Sequence, residues 1–166
     1  MKTISPKVSV IMSVFNAELY LKSAIESILN QNYINFEFII INDGSSDNSD
    51  FIIKSFNDDR IRYVNEEKNS GLVNALNKSL KLAIGEFIAR MDADDISLPT
   101  RFEEQLKFMK DEKLDMCGSW VAPFENDKSF DIWKYPENHN NISFRLFFVS
   151  SFAHPSVMFK SDVFKV

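Results

Sequence analysis

Three carboxylates occur within four positions near the middle of the chain, at the end of the run Phe87-Ile88-Ala89-Arg90-Met91-Asp92-Ala93-Asp94-Asp95. The residues before them are apolar except for Arg90. Carboxylates this close repel one another unless a positive charge lies between them. Hard cations such as Mg²⁺ take oxygen ligands, usually one or two carboxylates together with substrate phosphates. The cluster is therefore expected either at an exposed rim or around a divalent cation.

The composition is that of an ordinary globular protein. The 166 residues suggest one domain with a substantial core, and 45% of them are hydrophobic. The net charge of −5 argues mildly against a nucleic-acid surface. The single cysteine, Cys117, excludes an intrachain disulfide and is interpreted as a small buried apolar residue.

No apolar run approaches the ~20 residues needed to span a bilayer. The apolar segment before Asn16 is short and interrupted by two serines, so it favours a strand over a signal peptide. We therefore expect a cytoplasmic protein, with peripheral contact at the inner face of the membrane left open.

Short strands rich in β-branched residues alternate with amphipathic helices in the first part of the chain. The predicted strands cover residues 8–14, 36–41, 61–64 and 87–91. The helices between them cover residues 17–32, 51–56 and 71–83, with Asn16 as a candidate N-cap and Gly85 as a stop. This alternation predicts an α/β fold with a mostly parallel central sheet and helices on both faces.

The second part of the chain is less regular. Pro99 suits the first turn of a helix whose buried stripe is Phe102, Leu106 and Met109. Further strands are predicted at 116–124 and 156–159, and a short helix at 141–149. The polar segment 125–141 contains aromatic residues, so it is either a packed surface loop or a substrate-binding loop.

The ends of the predicted strands carry polar residues at four places. In open parallel sheets, ligands bind outside the carboxyl ends of the strands. That rule selects residues 13–16, 43–46, 65–71 and 92–95. An Asp-Gly pair alone usually marks only a turn, and an Asp-x-Asp tripeptide alone is more often a solvated loop. Their placement at successive strand ends favours a binding site.

The residue types fit a nucleotide. An aspartate at a strand end can accept the imide N–H of a uracil-like base, Asp92 can hold a ribose hydroxyl, and Asp94 can bind a metal that bridges two phosphates. The chain contains neither a Walker sequence nor a G-x-G-x-x-G after the first strand, which disfavours P-loop enzymes and Rossmann dehydrogenases. Most of the diphosphate neutralisation would then fall to the metal.

A family resemblance rests on four motifs in a fixed order. They are Val8-Ser9-Val10-Ile11-Met12-Ser13-Val14-Phe15-Asn16, Ile41-Asn42-Asp43-Gly44-Ser45-Ser46-Asp47, Asn69-Ser70-Gly71 with Asn77, and Met91-Asp92-Ala93-Asp94-Asp95. Together they resemble the nucleotide-sugar half of a family 2 glycosyltransferase with the GT-A fold, a Rossmann-like nucleotide-binding half. The resemblance runs from residue 8 to about residue 164.

The resemblance implies a role for each motif residue that holds the nucleotide. Ser13 and Asn16 would lie beside the base, usually uracil, and Asp43 would accept its N–H. Gly71 would lie close to the nucleotide, where a side chain would be in the way.

The resemblance likewise implies a divalent-metal site. Asp94 would be the main ligand for Mn²⁺ or Mg²⁺, and Asp92 would contact the ribose or the metal. Asp95 would cap the next helix or orient Arg101. His154, in a His-Pro-Ser-Val-Met-Phe segment, would contact the donor sugar or the diphosphate, although its position alone indicates a hydrogen-bonded loop histidine.

The implied activity is inverting transfer of a sugar from a nucleoside-diphosphate sugar, most simply a UDP-sugar, to a glycan or lipid-linked acceptor. In this family the catalytic base follows the His-Pro segment, so it is expected beyond Val166. Glu125 and Asp127 are interpreted as solvated loop residues. Residues 1–166 are accordingly expected to form a single domain that lacks part of the acceptor side.

Two other functions remain open at the level of the sequence. A sugar-phosphate nucleotidyltransferase has a similar sheet but needs a glycine- and arginine-rich loop after the first strand, which Val14-Phe15-Asn16-Ala17 does not supply. A nucleotide-sugar-binding module without catalysis is the other alternative.

Overall fold

The computed structural model describes residues 7–125 and 128–164. Its strands are β1 (Val8–Val14), β2 (Phe36–Asp43), β3 (Ile61–Glu66), β4 (Phe87–Asp92), β5 (Met116–Cys117), β6 (Phe124–Glu125), β7 (Lys128–Ser129) and β8 (Met158–Lys160). Its helices are α1 (Leu21–Leu29), α2 (Ser49–Lys54), α3 (Leu72–Leu82), α4 (Arg101–Asp111) and α5 (His139–Leu146), followed by 3-10 turns at His154–Ser156 and Ser161–Phe164.

The central sheet has six strands in the order β3-β2-β1-β4-β8-β5. The first four are parallel, and β8 enters antiparallel to both β4 and β5. The chain order reverses at β1, which lies between β2 and β4, and such a switch point is where open α/β sheets bind ligands. The predicted α/β class with a mostly parallel sheet is confirmed.

Alternate residues of each strand divide the apolar core into two layers. One layer joins the strands to α1, α2 and α4 through buried residues such as Ile25, Ile53 and Phe102. The other layer joins them to α3 through Ile11, Ile39, Ile41, Ile88 and Ala75. Helices therefore cover both faces of the sheet, as the alternating pattern predicted. Within the described ranges, no helix is long and apolar enough to cross a membrane.

Several predicted element boundaries are wrong for local reasons. The first helix begins at Leu21, because Asn16 has a left-handed backbone (φ 50°) and residues 17–20 form a turn closed by the Ala17 carbonyl. The predicted cap at Asn16 is therefore wrong. The helix α3 ends at Leu82, where Ala83 is already extended, so Gly85 does not terminate it.

The segment after α4 departs most from the prediction. The strand predicted at 116–124 is divided in the structure: Met116–Cys117 pairs with β8 in the central sheet, and Phe124 belongs to the small hairpin of β6 and β7. The polar loop that follows is held by a pairing of Val121 with Trp133 and then leads into α5. The last strand of the sheet lies at Met158–Lys160, so it begins two residues later and ends one residue later than predicted.

Candidate functional site

The carboxyl ends of three neighbouring strands bring Ser13, Asp43 and Asp92 to one face of the sheet. Ser13 is paired in register with Asp92 on one side and with Ile41 on the other. Because side chains alternate along a strand, these three residues share the face of Ile11, Ile41 and Ile88, which pack towards α3. The predicted nucleotide residues of β1, β2 and β4 therefore line the side of the sheet that α3 covers.

Asp43 binds the loop that precedes α3. It is only 1% exposed, and its Oδ1 accepts hydrogen bonds from the Ser70 backbone N–H (2.9 Å) and the Ser70 hydroxyl (2.8 Å). Its Oδ2 accepts one from the Gly71 N–H at 2.8 Å. Burial acts to raise the pKa of Asp43, but these hydrogen bonds outweigh it and the pKa lies below its ordinary value. Asp43 thus fixes the position of Gly71, a contact that the motif Asn69-Ser70-Gly71 alone did not predict.

Asn16 connects the loop after β1 to the loop after β2. Its backbone N–H donates to the Ser45 hydroxyl at 3.0 Å, and its side-chain oxygen accepts from the Ser46 N–H at 2.8 Å. The adjacent Asp47 accepts from the Glu18 N–H at 3.0 Å. These reciprocal bonds hold the two loops in one arrangement, with Asn16 exposed at the rim.

Gly44 and Gly71 give the neighbouring loops their shape. Gly44 has a left-handed backbone (φ +72°), and a Cβ there would lie 2.6 Å from backbone atoms of both Lys68 and Asn69. Gly71 also has positive φ (+91°), but a Cβ there would meet nothing within 4 Å. The space predicted beside Gly71 is therefore open at the N-terminus of α3.

The acidic cluster is compact enough for one ion. Carboxylate oxygens of Asp92, Asp94 and Asp95 all lie within 4.8 Å of one another. An octahedral Mg²⁺ with ligands at about 2.1 Å separates adjacent ligand oxygens by about 3 Å and opposite ones by about 4.2 Å. The donor set and spacing fit a hard divalent cation. Asp95, which the sequence prediction left out of the metal ligands, is therefore a third candidate.

Burial and mutual repulsion raise the pKa values of two carboxylates in this cluster, Asp92 and Asp95. Burial raises the pKa of Asp95 to about 6, and the charges of Asp92 and Asp94 act in the same direction. Burial also raises the pKa of Asp92, against the opposing charge of Arg90. Each shift means that the protein disfavours the ionised carboxylate, so a bound cation would relieve the cluster.

The raised pKa of Asp95 predicts a pH-dependent stability. The folded chain holds the Asp95 proton more tightly than the unfolded chain, whose ordinary pKa is 3.8. This contribution to stability is complete below about pH 4 and is lost as the pH rises through about 6. We expect the gain in Tm on adding Mg²⁺ to be larger at pH 7 than at pH 5, by a few degrees.

Thermal unfolding of Asp95→Asn is the matched control for that prediction, because asparagine keeps the shape and does not titrate. The variant should lose the difference between pH 5 and pH 7 in its response to Mg²⁺. An identical response in both proteins would show that Asp95 does not titrate in this range.

His154 and Arg101 lie at the edge of the cluster. His154 begins the 3-10 turn that packs against β4, near enough for the charges of Arg90 and Asp92 to act on its ring. Partial burial and Arg90 lower the pKa of His154, while Asp92 opposes them. Arg101 donates to the Arg90 carbonyl at 2.8 Å and to Gln105, and helix α4 is preceded by Thr100 rather than capped by Asp95.

The structure describes one of the two other carboxylates considered from the sequence. Glu125 is exposed at the end of β6, in the two-stranded hairpin, and Asp127 lies outside the described residues. Cys117 is buried, which raises its pKa to about 11 and agrees with its interpretation as a core residue.

Residues 9–165 match the model of the family described as Glycosyl transferase family 2. The O-antigen biosynthesis glycosyltransferase WbnJ of Escherichia coli is 41% identical over 160 residues, which cover 94% of this chain and 62% of that protein. The UDP-Glc:alpha-D-GlcNAc-diphosphoundecaprenol beta-1,3-glucosyltransferase WfgD of Escherichia coli is 41% identical over 102 residues, 61% of this chain and 40% of that protein. The chain spans about half the length of the curated relatives it matches.

Solved structures show the same fold. The crystal structure of S. aureus TarS 1-349 in complex with UDP-GlcNAc superposes with a TM-score of 0.79 at 23% identity, covering 96% of this chain and 46% of that chain. The mannosyltransferase PcManGT from Pyrobaculum calidifontis, in complex with GDP-Man and Mn²⁺, gives a TM-score of 0.59 at 23% identity, covering 69% of this chain and 35% of that chain.

Proposed function

This chain belongs to glycosyl transferase family 2, and we propose that its strand-end site binds a nucleoside-diphosphate sugar with a divalent cation for transfer of the sugar. One observation carries the proposal: three carboxylates within 4.8 Å of one another stand at the switch point of a parallel sheet. Beside them, Asp43 and Gly71 form an ordered loop with open space in front of it.

We assign the cation to Asp94 as main ligand, with Asp92 and Asp95 completing the protein side of the site. The ion is Mn²⁺ or Mg²⁺; a Mn²⁺ complex of a protein with this fold supports a divalent ion in general. When bound, the ion neutralises the negative charge that grows on a departing diphosphate. His154, at the edge of the cluster, is proposed to contact the donor sugar or the diphosphate.

The nucleotide is proposed to lie between the loops after β1, β2 and β3. Ser13 and Asn16 would flank the base. Asp43 would hold its N–H through lone pairs left free by Ser70 and Gly71, since each carboxylate oxygen can accept more than one hydrogen bond. Because Gly71 has no side chain, the nucleotide can approach the backbone there. A uracil nucleotide is favoured, since TarS binds UDP-GlcNAc and the name of WfgD specifies UDP-Glc.

The acceptor is proposed to be a glycan or a lipid-linked sugar. Two relatives support this class: one is named for O-antigen biosynthesis and one for a diphosphoundecaprenol-linked sugar. We propose single-step transfer with inversion at the anomeric carbon, by a base outside the residues assigned here. A cytoplasmic location, with contact at the inner face of a membrane, fits such an acceptor.

Calorimetry with UDP tests the proposal directly. UDP should bind this chain with a Kd in the micromolar range when Mn²⁺ is present, and at least about tenfold more weakly when the metal is removed by chelation. ADP in the presence of Mn²⁺ is the control for base selectivity. If no nucleoside diphosphate binds under either condition, the proposed function is wrong.

Nucleotide-sugar binding without catalysis is the second candidate for this chain. It uses the same strand-end site for the nucleotide sugar and requires no catalytic base. Release of UDP from a panel of UDP-sugars, with and without a lipid-linked acceptor, separates a transferase from a binding module.

A further inference from the structure

A buried arginine, Arg90, lies on β4 next to the acidic cluster and is paired with Asp92. Arg90 precedes Asp92 by two positions on β4, so both side chains lie on the same face of the sheet. Arg90 is 4% exposed, and its Nη2 lies 2.7 Å from the Asp92 Oδ1. Its Nε and Nη1 are buried and have no hydrogen-bond partner among residues 7–125 and 128–164.

The charge of this guanidinium is only partly compensated. Arginine is a donor-only side chain that stays charged in proteins, and buried charges are normally both paired and fully hydrogen-bonded. Here one oxygen of Asp92 pairs with one of the three guanidinium nitrogens of Arg90, and the other two nitrogens have no partner among the described residues. A positive potential therefore remains next to Asp92, on the side of the cluster that faces the core.

That potential acts oppositely on the two components of the proposed ligand. It repels a divalent cation at Asp92, Asp94 and Asp95, and it attracts the oxyanions of a diphosphate, in both cases more strongly than in water because the site is partly buried. Arg90 also pairs with one of the two Asp92 oxygens. A free cation therefore binds more weakly than it would without Arg90, whereas a cation accompanied by a diphosphate does not.

We propose that Arg90 is a positioning residue that couples cation binding to diphosphate binding. The inference rests on the proposed function. Without nucleotide, Arg90 substitutes for the cation as the counter-charge of Asp92. With nucleotide, the diphosphate supplies negative charge for both Arg90 and the cation. Because coupling is reciprocal, the metal raises the affinity for UDP by the same factor by which UDP raises the affinity for the metal, and Arg90 increases that factor.

Two variants separate the charge of Arg90 from its capacity to donate N–H groups. Arg90→Gln keeps a donor for Asp92 and removes the charge, and Arg90→Lys keeps the charge. Arg62→Met is the matched control, since Arg62 is an exposed arginine on edge strand β3 that donates to the Leu82 carbonyl at 2.8 Å. For each protein we would measure the Kd of Mn²⁺ alone by electron paramagnetic resonance, and the Kd of UDP at saturating Mn²⁺ by calorimetry.

For Arg90→Gln we expect Mn²⁺ alone to bind about tenfold more tightly and UDP to bind about tenfold more weakly, within the usual range of coupling between sites. Arg90→Lys should stay within about threefold of the wild type on both measures, and Arg62→Met should match the wild type. If Arg90→Gln does not fold, as judged by thermal unfolding, Arg90→Met and the lysine variant provide the same comparison.

Two results would overturn the inference while leaving the proposed function standing. In one, the wild type binds UDP in a metal-dependent way and Arg90→Gln is unchanged. In the other, the variant binds both Mn²⁺ and UDP more weakly, which would mean that Arg90 only orients Asp92. A wild type that binds neither Mn²⁺ nor UDP would instead remove the proposed function itself, and this inference with it.

Discussion

Replacing Asp94 with alanine is expected to abolish metal-dependent UDP binding and to leave the fold intact. Asp94 is exposed, and its carboxylate stands within 4.8 Å of those of Asp92 and Asp95. Loss of a group that only orients a metal ligand lowers the metal affinity about 10–100-fold. Loss of Asp94, a proposed direct ligand, should therefore lower the metal affinity about 100-fold or more. Calorimetry of UDP with Mn²⁺ measures the change.

Asp59→Ala is the matched control, because Asp59 is another exposed aspartate that precedes β3 at the opposite edge of the sheet. Both variants should unfold within a degree or two of the wild type, since exposed substitutions usually change stability by less than about 0.5 kcal/mol. Unchanged Mn²⁺-dependent binding in Asp94→Ala would contradict the assignment of the metal ligand.

Replacing Gly44 with alanine is expected to destabilise the folded chain by about 4 kcal/mol. A left-handed alanine costs about 1–2 kcal/mol, and overpacking adds about 1–3 kcal/mol. Overpacking arises because the new Cβ would lie 2.6 Å from the backbone of Lys68 and Asn69, which cannot move without shifting the loop held by Asp43. Thermal unfolding should show a Tm lower by roughly 10 °C.

Gly71→Ala isolates the contribution of backbone strain. Its φ is also positive (+91°), but a Cβ there has open space around it, so only the strain of about 2 kcal/mol is expected. Equal losses for the two variants would show that the close approach of the two loops is unimportant. Matching circular dichroism spectra at 10 °C would confirm that both proteins are folded before they are heated.

The parallel half of the fold could be predicted because each of its strands and helices has a recognisable pattern within its own short segment of sequence. Strands β1, β2 and β4 are runs of mostly apolar residues, β3 begins with the shorter run Ile61-Arg62-Tyr63-Val64, and each helix between them has its own apolar stripe. By contrast, β8 is three residues long and takes its position from partners distant in the sequence. No periodicity in three residues could place it between β4 and β5.

For the candidate site, too, the loops could be predicted from local sequence and the contacts between distant residues could not. The strand-end rule selected the loops that contain Asp43, Gly71 and Asp94 without any knowledge of their contacts. It missed the ion pair of Arg90 with Asp92, because the sequence shows only that Arg90 interrupts an apolar run. The rule also could not reveal that Asn16 takes a left-handed backbone, which depends on bonds to residues 45 and 46.

During synthesis on the ribosome, one edge of β4 stays unpaired until β8 has been made. The strands β3, β2, β1 and β4 are complete at Asp92, but the free edge of β4 is covered only by β8, about 65 residues later. At roughly 5–20 residues per second, the nascent chain spends several seconds with the backbone of Phe87–Asp92 open along that edge. An unpaired edge strand is a template for pairing with other chains. During that interval the emerging sheet is open to mispairing with neighbouring nascent chains.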